Sequence, residues 1–168
     1  MTGARRIVAG ALLPLALSAG AAAAQGSCDP GQVVLTTPSG SHAVFSVEIA
    51  ADPAARARGL MGRRQLLRSH GMLFVYEAPQ PAGFWMKDTL IPLDMLFFDE
   101  KGVLRHVHPQ AQPHDLTIIP GAAPGDPDPE RLLVLELAGG EAARRGLVPG
   151  TTLRHPAVPQ ATAAAPCD

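Results

Sequence analysis

The stretch FWMKDTLIPLDMLFFD, Phe84 to Asp99, most restricts what this chain can fold into. It holds the only Trp, two of the five Met and three of the five Phe, so it belongs in an interior. Pro92 lacks a backbone donor and pushes Ile91 out of the helical region, so the stretch cannot be one helix. It reads as two short strands, Phe84–Lys87 and Leu93–Phe98, around a proline-fixed turn. Lys87, Asp88, Thr89 and Asp94 fall in the middle of this apolar run. Such a charged turn is either an interior ion pair or a site.

The chain on either side supplies further short strands. Val33–Leu35 and His42–Ala50 are separated by a Pro38-Ser39-Gly40 turn, and the second run alternates with period two. Asp52-Pro53 is a helix start, with an acceptor side chain at the cap and Pro at the first helical position. The Ala- and Arg-rich helix that follows is limited by Gly59 and Gly62 to between one and three turns. Met72–Glu77, Val103–His108 and Arg131–Ala138 read as strands, and Asp99–Gly102 as a hairpin connection. Glu141–Arg145 makes a brief helix with Gly146 as a left-handed cap, and a last strand follows Pro149-Gly150. Between Pro109 and Glu130, six prolines in 22 residues leave no room for a regular element. Only Leu116–Ile119 offers an apolar anchor there, and loops this long in a small domain are usually functional or disordered. The fold class expected is mostly β (α+β): a small antiparallel β-barrel or sandwich-like domain with two short helices.

The ends of the chain address location. Arg5-Arg6, an apolar run and Ala22-Ala23-Ala24 form a secretory leader over residues 1–24, with cleavage near Ala24-Gln25. The expected destination is the periplasm or the medium, with no stable membrane insertion after cleavage. Residues 25–155 make a single β-rich domain, and residues 156–168 an Ala- and Pro-rich tail that is loose except through Cys167. Without the leader the chain carries twelve Lys and Arg against fifteen Asp and Glu, a net charge of −3. That balance gives no basic stripe for nucleic acid. The two cysteines, Cys28 and Cys167, lie at opposite ends of the mature chain. In an oxidising compartment they read as a disulfide, worth about 4–5 kcal/mol in chain-entropy terms.

Several motifs together resemble a known family. Arg56 and Arg58 with Gly59-Leu60-Met61, then Gly71-Met72-Leu73-Phe74, then Phe84-Trp85-Met86-Lys87 through Ile91-Pro92-Leu93-Asp94, are similar to the domain-of-unknown-function 192 family. The resemblance continues through Leu132–Leu153. It implies a compact β-rich fold with a few short helices in exported bacterial or archaeal proteins, and no particular reaction. Two positions depart from the family pattern. Asp88 stands where Asn is usual, and Gly62 where a large residue usually follows the signature Met.

The chemistry these residues allow falls into three groups. Lys87, Asp88 and Asp94 could supply an acid/base pair and an oxyanion partner, as in a hydrolase or lyase. The simpler structural alternative pairs Lys87 with Asp94 across the turn, while Asp88 and Thr89 bond backbone donors. His106 and His108 share a strand face, with His114 following and Glu136 on a neighbouring strand, which would suffice for Zn²⁺ or Cu²⁺. Strand histidines on a solvated face are commoner, so no metal and no cofactor is expected. Met61, Met72, Met86 and Met95 could hold Cu(I), but Met at strand positions is usually core filler. The favoured reading is a non-catalytic binding or accessory domain of the cell envelope. Its expected partner is an unknown small molecule, polar or anionic, or an envelope protein. Its ligand residues would be Arg56, Trp85, Lys87, Asp88, Thr89 and Asp94, in a cleft between the signature turn, the Arg-rich helix and the Pro-rich loop. A purely structural envelope module is a further alternative.

Overall fold

The computed structural model describes residues 28–167, so the expected leader over residues 1–24 lies outside the described residues. The chain runs β1 (Gln32–Thr36), β2 (His42–Ala50), α1 (Pro53–Arg58), β3 (His70–Pro81), β4 (Gly83–Phe84) and β5 (Leu93–Phe98). It continues through β6 (Leu104–Ala111), β7 (Ile119–Pro120), β8 (Glu130–Ala138), α2 (Glu141–Arg144) and β9 (Thr152–Arg154). Seven strands form one sheet in the order β6-β5-β8-β3-β2-β1-β9, and β4 pairs with β7 in a separate two-stranded ribbon. Every pairing in the large sheet is antiparallel except β2 with β3, which is parallel. A parallel pair needs a crossover, and here residues 51–69, including α1, supply it.

The sheet curls until its two edges meet at one end. Val103 bridges Thr152, Leu104 N donates to Thr151 O at 2.8 Å and Leu153 N donates to Gly102 O at 2.8 Å. The result is a mixed α+β fold dominated by a curled, partly open sheet, a half-barrel with two short helices. The expected mostly β, α+β domain with two short helices is met in this partly closed form, with the β4-β7 ribbon packed on the large sheet.

The central strands are buried on both faces. Successive side chains of a strand point to opposite sides, and here both sides are apolar. Leu73, Leu96, Phe98, Leu133, Leu135 and Leu137 pack inside the curl with Val33, Leu35, Phe45 and Leu153. Their neighbours Met72, Phe74, Met95, Phe97 and Val134 pack on the opposite face with Leu60, Met86, Leu93 and Ile119. This is why β5 and β8 read as continuous apolar runs rather than alternating ones.

Three local expectations are corrected. The first strand of the signature stretch ends at Phe84, because the carbonyl of Met86 accepts from Thr89 N and His114 N and holds a turn there. The Pro-rich segment is not free of regular structure: β6 runs on to Ala111 and Ile119–Pro120 forms β7. The tail is packed rather than loose. Val158 is buried in the inner core, and Gln160 bonds the carbonyls of His155 and Val158 and the amide of Cys167.

The chain ends are joined by the Cys28–Cys167 disulfide, across 5.2 Å between Cα atoms, as the cysteine count suggested. Beside it His155 ties the two ends again. Its Nδ1 accepts from Ala157 N at 3.0 Å, so Nε2 carries the proton and donates to Pro30 O at 2.9 Å. Burial lowers the pKa of His155 and outweighs the carbonyl that favours its charged form. The sequence drew no attention to this residue.

Arg131, at the start of β8, is completely buried and orders the second half of the Pro-rich segment. Its Nε donates to Gly121 O at 2.9 Å, one terminal nitrogen donates to Asp128 O and Glu130 O, and the other pairs with Asp126. Replacing one partner of a buried charged network typically costs 3–5 kcal/mol. Arg131→Met is expected to lose about 3 kcal/mol in chemical denaturation and to open residues 121–130 to proteolysis. Unchanged cleavage in that segment would show that the prolines alone hold it.

Candidate functional site

α1 begins as its sequence indicates. Asp52 caps it by accepting from Ala55 N at 2.8 Å, and Pro53 occupies its first position. The helix ends at Gly59, whose φ of +48° suits glycine. A Cβ on Gly59 would lie 3.2 Å from the Phe74 ring and 3.9 Å from Oε2 of Glu136. The chain can therefore fold down onto β3 and β8 only because this residue has no side chain. Beyond it, Gly62 N donates to Asp88 O at 2.8 Å, tying the helix end to the signature turn.

Between these two walls lies a cleft of about 310 Å³. Arg56, Arg58, Leu60 and Met61 line one side, Gly83, Phe84, Trp85 and Thr89 the other. Phe74, Tyr76 and Glu136 make the base. Phe84 packs edge-on against Phe74 at 5.0 Å and against Phe97 at 5.8 Å, which fixes the aromatic wall. Trp85 stands at the mouth, 46% exposed.

Glu136 is the chemically distinctive group. In β8 it pairs across to Met72 of β3 and Met95 of β5, so two thioether side chains flank it. The residue is only 4% exposed, and its Oε2 is buried with no hydrogen-bond partner among the described residues. Burial alone pushes its pKa up to about 8, with no donor or opposite charge offsetting it. At neutral pH the group is therefore mostly a neutral carboxylic acid, able to donate one hydrogen bond and accept others. Tyr76 beside it is also raised, chiefly by burial, with Arg56 opposing and Glu136 reinforcing.

The residues singled out by sequence separate into three places. Arg56, Trp85 and Thr89 line the cleft. Arg56 is largely committed: its guanidinium bonds the carbonyls of Ala51 and Val75, pairs with Glu77 at 3.3 Å and lies over the Tyr76 ring at 5.2 Å. Lys87 and Asp88 line a separate, more open depression that shares Trp85 with the cleft, together with His114 and Leu116. Asp88 has φ +53°, a conformation to which Asn and Asp are better suited than other side-chain residues, so an acid can replace the usual Asn here without changing the turn.

Asp94 is in neither place. It is fully buried, and its Oδ1 accepts from Gln110 N at 2.8 Å and Gly140 N at 3.0 Å, while Oδ2 accepts from Ala142 N at 2.7 Å. It thus supplies from β5 the capping carboxylate that Gly140, the residue preceding α2, lacks. The expected Lys87–Asp94 pair is not formed. Lys87 instead stands over the Trp85 ring at 5.5 Å and makes no ion pair among the described residues. The acid/base arrangement of Lys87 with Asp94 therefore has no geometric basis.

The histidines do not converge on a metal centre, since no group of three His, Cys, Asp or Glu among the described residues is placed to hold an ion. His106 lies beside Phe97 at 5.8 Å, and burial followed by the charge of His108 lowers its pKa. Met72, Met86 and Met95 are buried core residues. In sequence Glu136 is notable as an acid inside the strand Arg131–Ala138 and as a neighbour for these histidines. The one sign of its place was a lone acid inside the run RLLVLELA.

The fold and its cleft define a half-barrel domain with a buried acid facing an aromatic-walled cavity. The chain belongs to the DUF192 family, described as an uncharacterized ACR, whose pattern matches residues 34–155. A crystal structure from Sinorhizobium meliloti 1021, described as a candidate transcription regulator, is similar at 41% identity and a TM-score of 0.68. That match covers 76% of this chain and 94% of the other. A protein of unknown function from Novosphingobium aromaticivorans DSM 12444 is similar at 39% identity and a TM-score of 0.66, covering 73% and 82% of the two chains. No curated protein matches the chain. No helix among the described residues is long and apolar enough to cross a membrane.

Proposed function

We propose that this protein is an exported binding domain of the cell envelope that holds a small polar or anionic molecule in the Glu136 cleft. The observation that carries the reading is the buried, unpartnered Oε2 of Glu136 at the base of a cleft whose mouth is an exposed Trp. Buried polar groups nearly always have partners, and an exception calls for an explanation. A bound ligand would satisfy this one. Binding pockets typically combine apolar walls with a few placed polar groups, and Phe74, Phe84 and Trp85 with Glu136 and Arg58 have that character. Export rests on the leader and agrees with the disulfide. A role on DNA, suggested by the description of the S. meliloti protein, would want a basic face, whereas the mature chain has more acidic than basic residues.

Because Trp85 is the only Trp, its fluorescence reports directly on the mouth of the cleft. Titration with neutral sugars, carboxylates, amides and amines should change that emission for at least one class. The same probe should fail with Glu136→Leu, which keeps the apolar packing and removes the polar base. Emission unmoved by every class, or equal binding by Glu136→Leu, would overturn the reading.

A further inference from the structure

The charges around the cleft narrow the ligand further, granted that it binds there. We propose that the cleft takes a small organic carboxylate, its carboxylate joined to the Glu136 carboxyl through one shared proton and its apolar body against Phe84 and Trp85.

Three observations converge on this. The base presents a carboxyl group whose Oε2 has no protein partner, so a ligand seated there can provide the complementary atom. A carboxylic acid facing a carboxylate forms a short, charge-assisted O–H···O⁻ bond, stronger than a neutral pair. Next, the titratable and charged groups around Glu136 are Arg56 and Arg58 from α1 and Tyr76 from β3; β5 contributes the uncharged Met95 and the signature turn Thr89 and Trp85. No second carboxylate lines the cleft. Arg56 is balanced by Glu77, but Arg58 is exposed and has no ion pair among the described residues. With Glu136 carrying its proton, the cleft has one uncompensated positive charge, which suits an anion and opposes an ammonium ion. Finally, the walls are aromatic and rigidly packed, which favours a ligand with an apolar body over a bare inorganic anion.

The proton supplies the test. The group holding it titrates near pH 8 without ligand, so the acid needed for binding is plentiful at pH 6 and scarce above pH 9. The disulfide-bonded mature protein would be titrated with benzoate, benzamide and benzylamine by Trp85 fluorescence and calorimetry. Benzoate should bind at pH 6 at least about tenfold more tightly than the amide or the amine, and lose about tenfold or more by pH 9.5. Near pH 8, calorimetry in buffers of different ionisation heat should show proton uptake on binding. Glu136→Gln keeps an N–H donor, so it should still bind benzoate but without the loss at high pH. Arg58→Ala should weaken benzoate and leave benzamide unchanged.

Tighter binding of benzylamine with proton release would overturn the carboxylate assignment, as would benzoate affinity equal at pH 6 and pH 9.5. Failure of benzoate while a sugar or amide perturbs Trp85 would remove the carboxylate and keep the cleft. An emission unmoved by any probe would remove both.

Discussion

Glu136→Gln is expected to be more stable than the native protein at alkaline pH, with a ceiling of about 5 kcal/mol, and indistinguishable from it near pH 4. The buried acid titrates near pH 8 in the folded chain and at the ordinary carboxylate value of 4.5 when unfolded. Its folded pKa is the raised one, so its contribution is fully present below pH 4.5 and declines as pH rises to 8. Above that the loss is complete, and 3.5 pH intervals at about 1.4 kcal/mol each set the ceiling. The amide has no such titration, so the difference between the two denaturation profiles isolates this one group. A flat difference from pH 4 to pH 9 would show that Glu136 ionises freely in the fold, and the binding argument would lose its base. His155 works in the opposite direction. Its folded pKa is lowered, so its contribution is present above the ordinary histidine range and declines as pH falls below it. Together these two groups favour the native chain most at mildly acidic pH.

Asp94→Ala should cost about 4 kcal/mol, because it leaves three buried or half-buried amides without an acceptor. The effect should concentrate where those amides lie, at Gln110 in β6 and at Gly140 and Ala142 around α2. Hydrogen exchange at these three positions is the direct measurement. Asp94→Asn, which retains an accepting oxygen, should lose about half as much. Binding in the Glu136 cleft should survive Asp94→Asn, because Asp94 does not line it. Abolished binding in a folded Asp94→Asn protein would return this residue to the site.

These two acids show what could be read from sequence and what could not. The turns, the cap at Asp52-Pro53, most strands and the link between the two cysteines were legible, because each is encoded by neighbouring residues or by count. The roles of Asp94 and Glu136 were not. Both sit inside apolar runs that are buried on both faces, so the runs carry no alternation to show which way a given residue points. Asp94 drew attention through the charged residues near it in sequence, yet its partners are amides 16 to 48 residues away, brought to it by a register shift in β6 that presents Gln110 and by the end of β8, which runs beside it. Glu136 stands between two leucines, and the charged residues of its strand, Glu130 and Arg131, lie at the far end. It becomes distinctive only when β8 is set between β3 and β5 and a helix end is laid over it. Arg131 and His155 were missed for the same reason, since each acts on carbonyls that the topology, not the local sequence, brings near.

The lone parallel pairing of β2 with β3 has a consequence for how relatives of this chain can diverge. Antiparallel neighbours can be joined by tight turns, but this pair requires residues 51–69 to travel the length of the sheet, and that travelling segment is what walls one side of the cleft. It contributes no registered strand residue to the sheet. Lengthening a surface connection costs little, growing only slowly with the number of residues added. Insertions or deletions there would reshape one side of the cavity while leaving every strand register, the Cys28–Cys167 link and the buried acid in place. Ligand preference can thus change by altering a connection, independently of the residues that hold the fold.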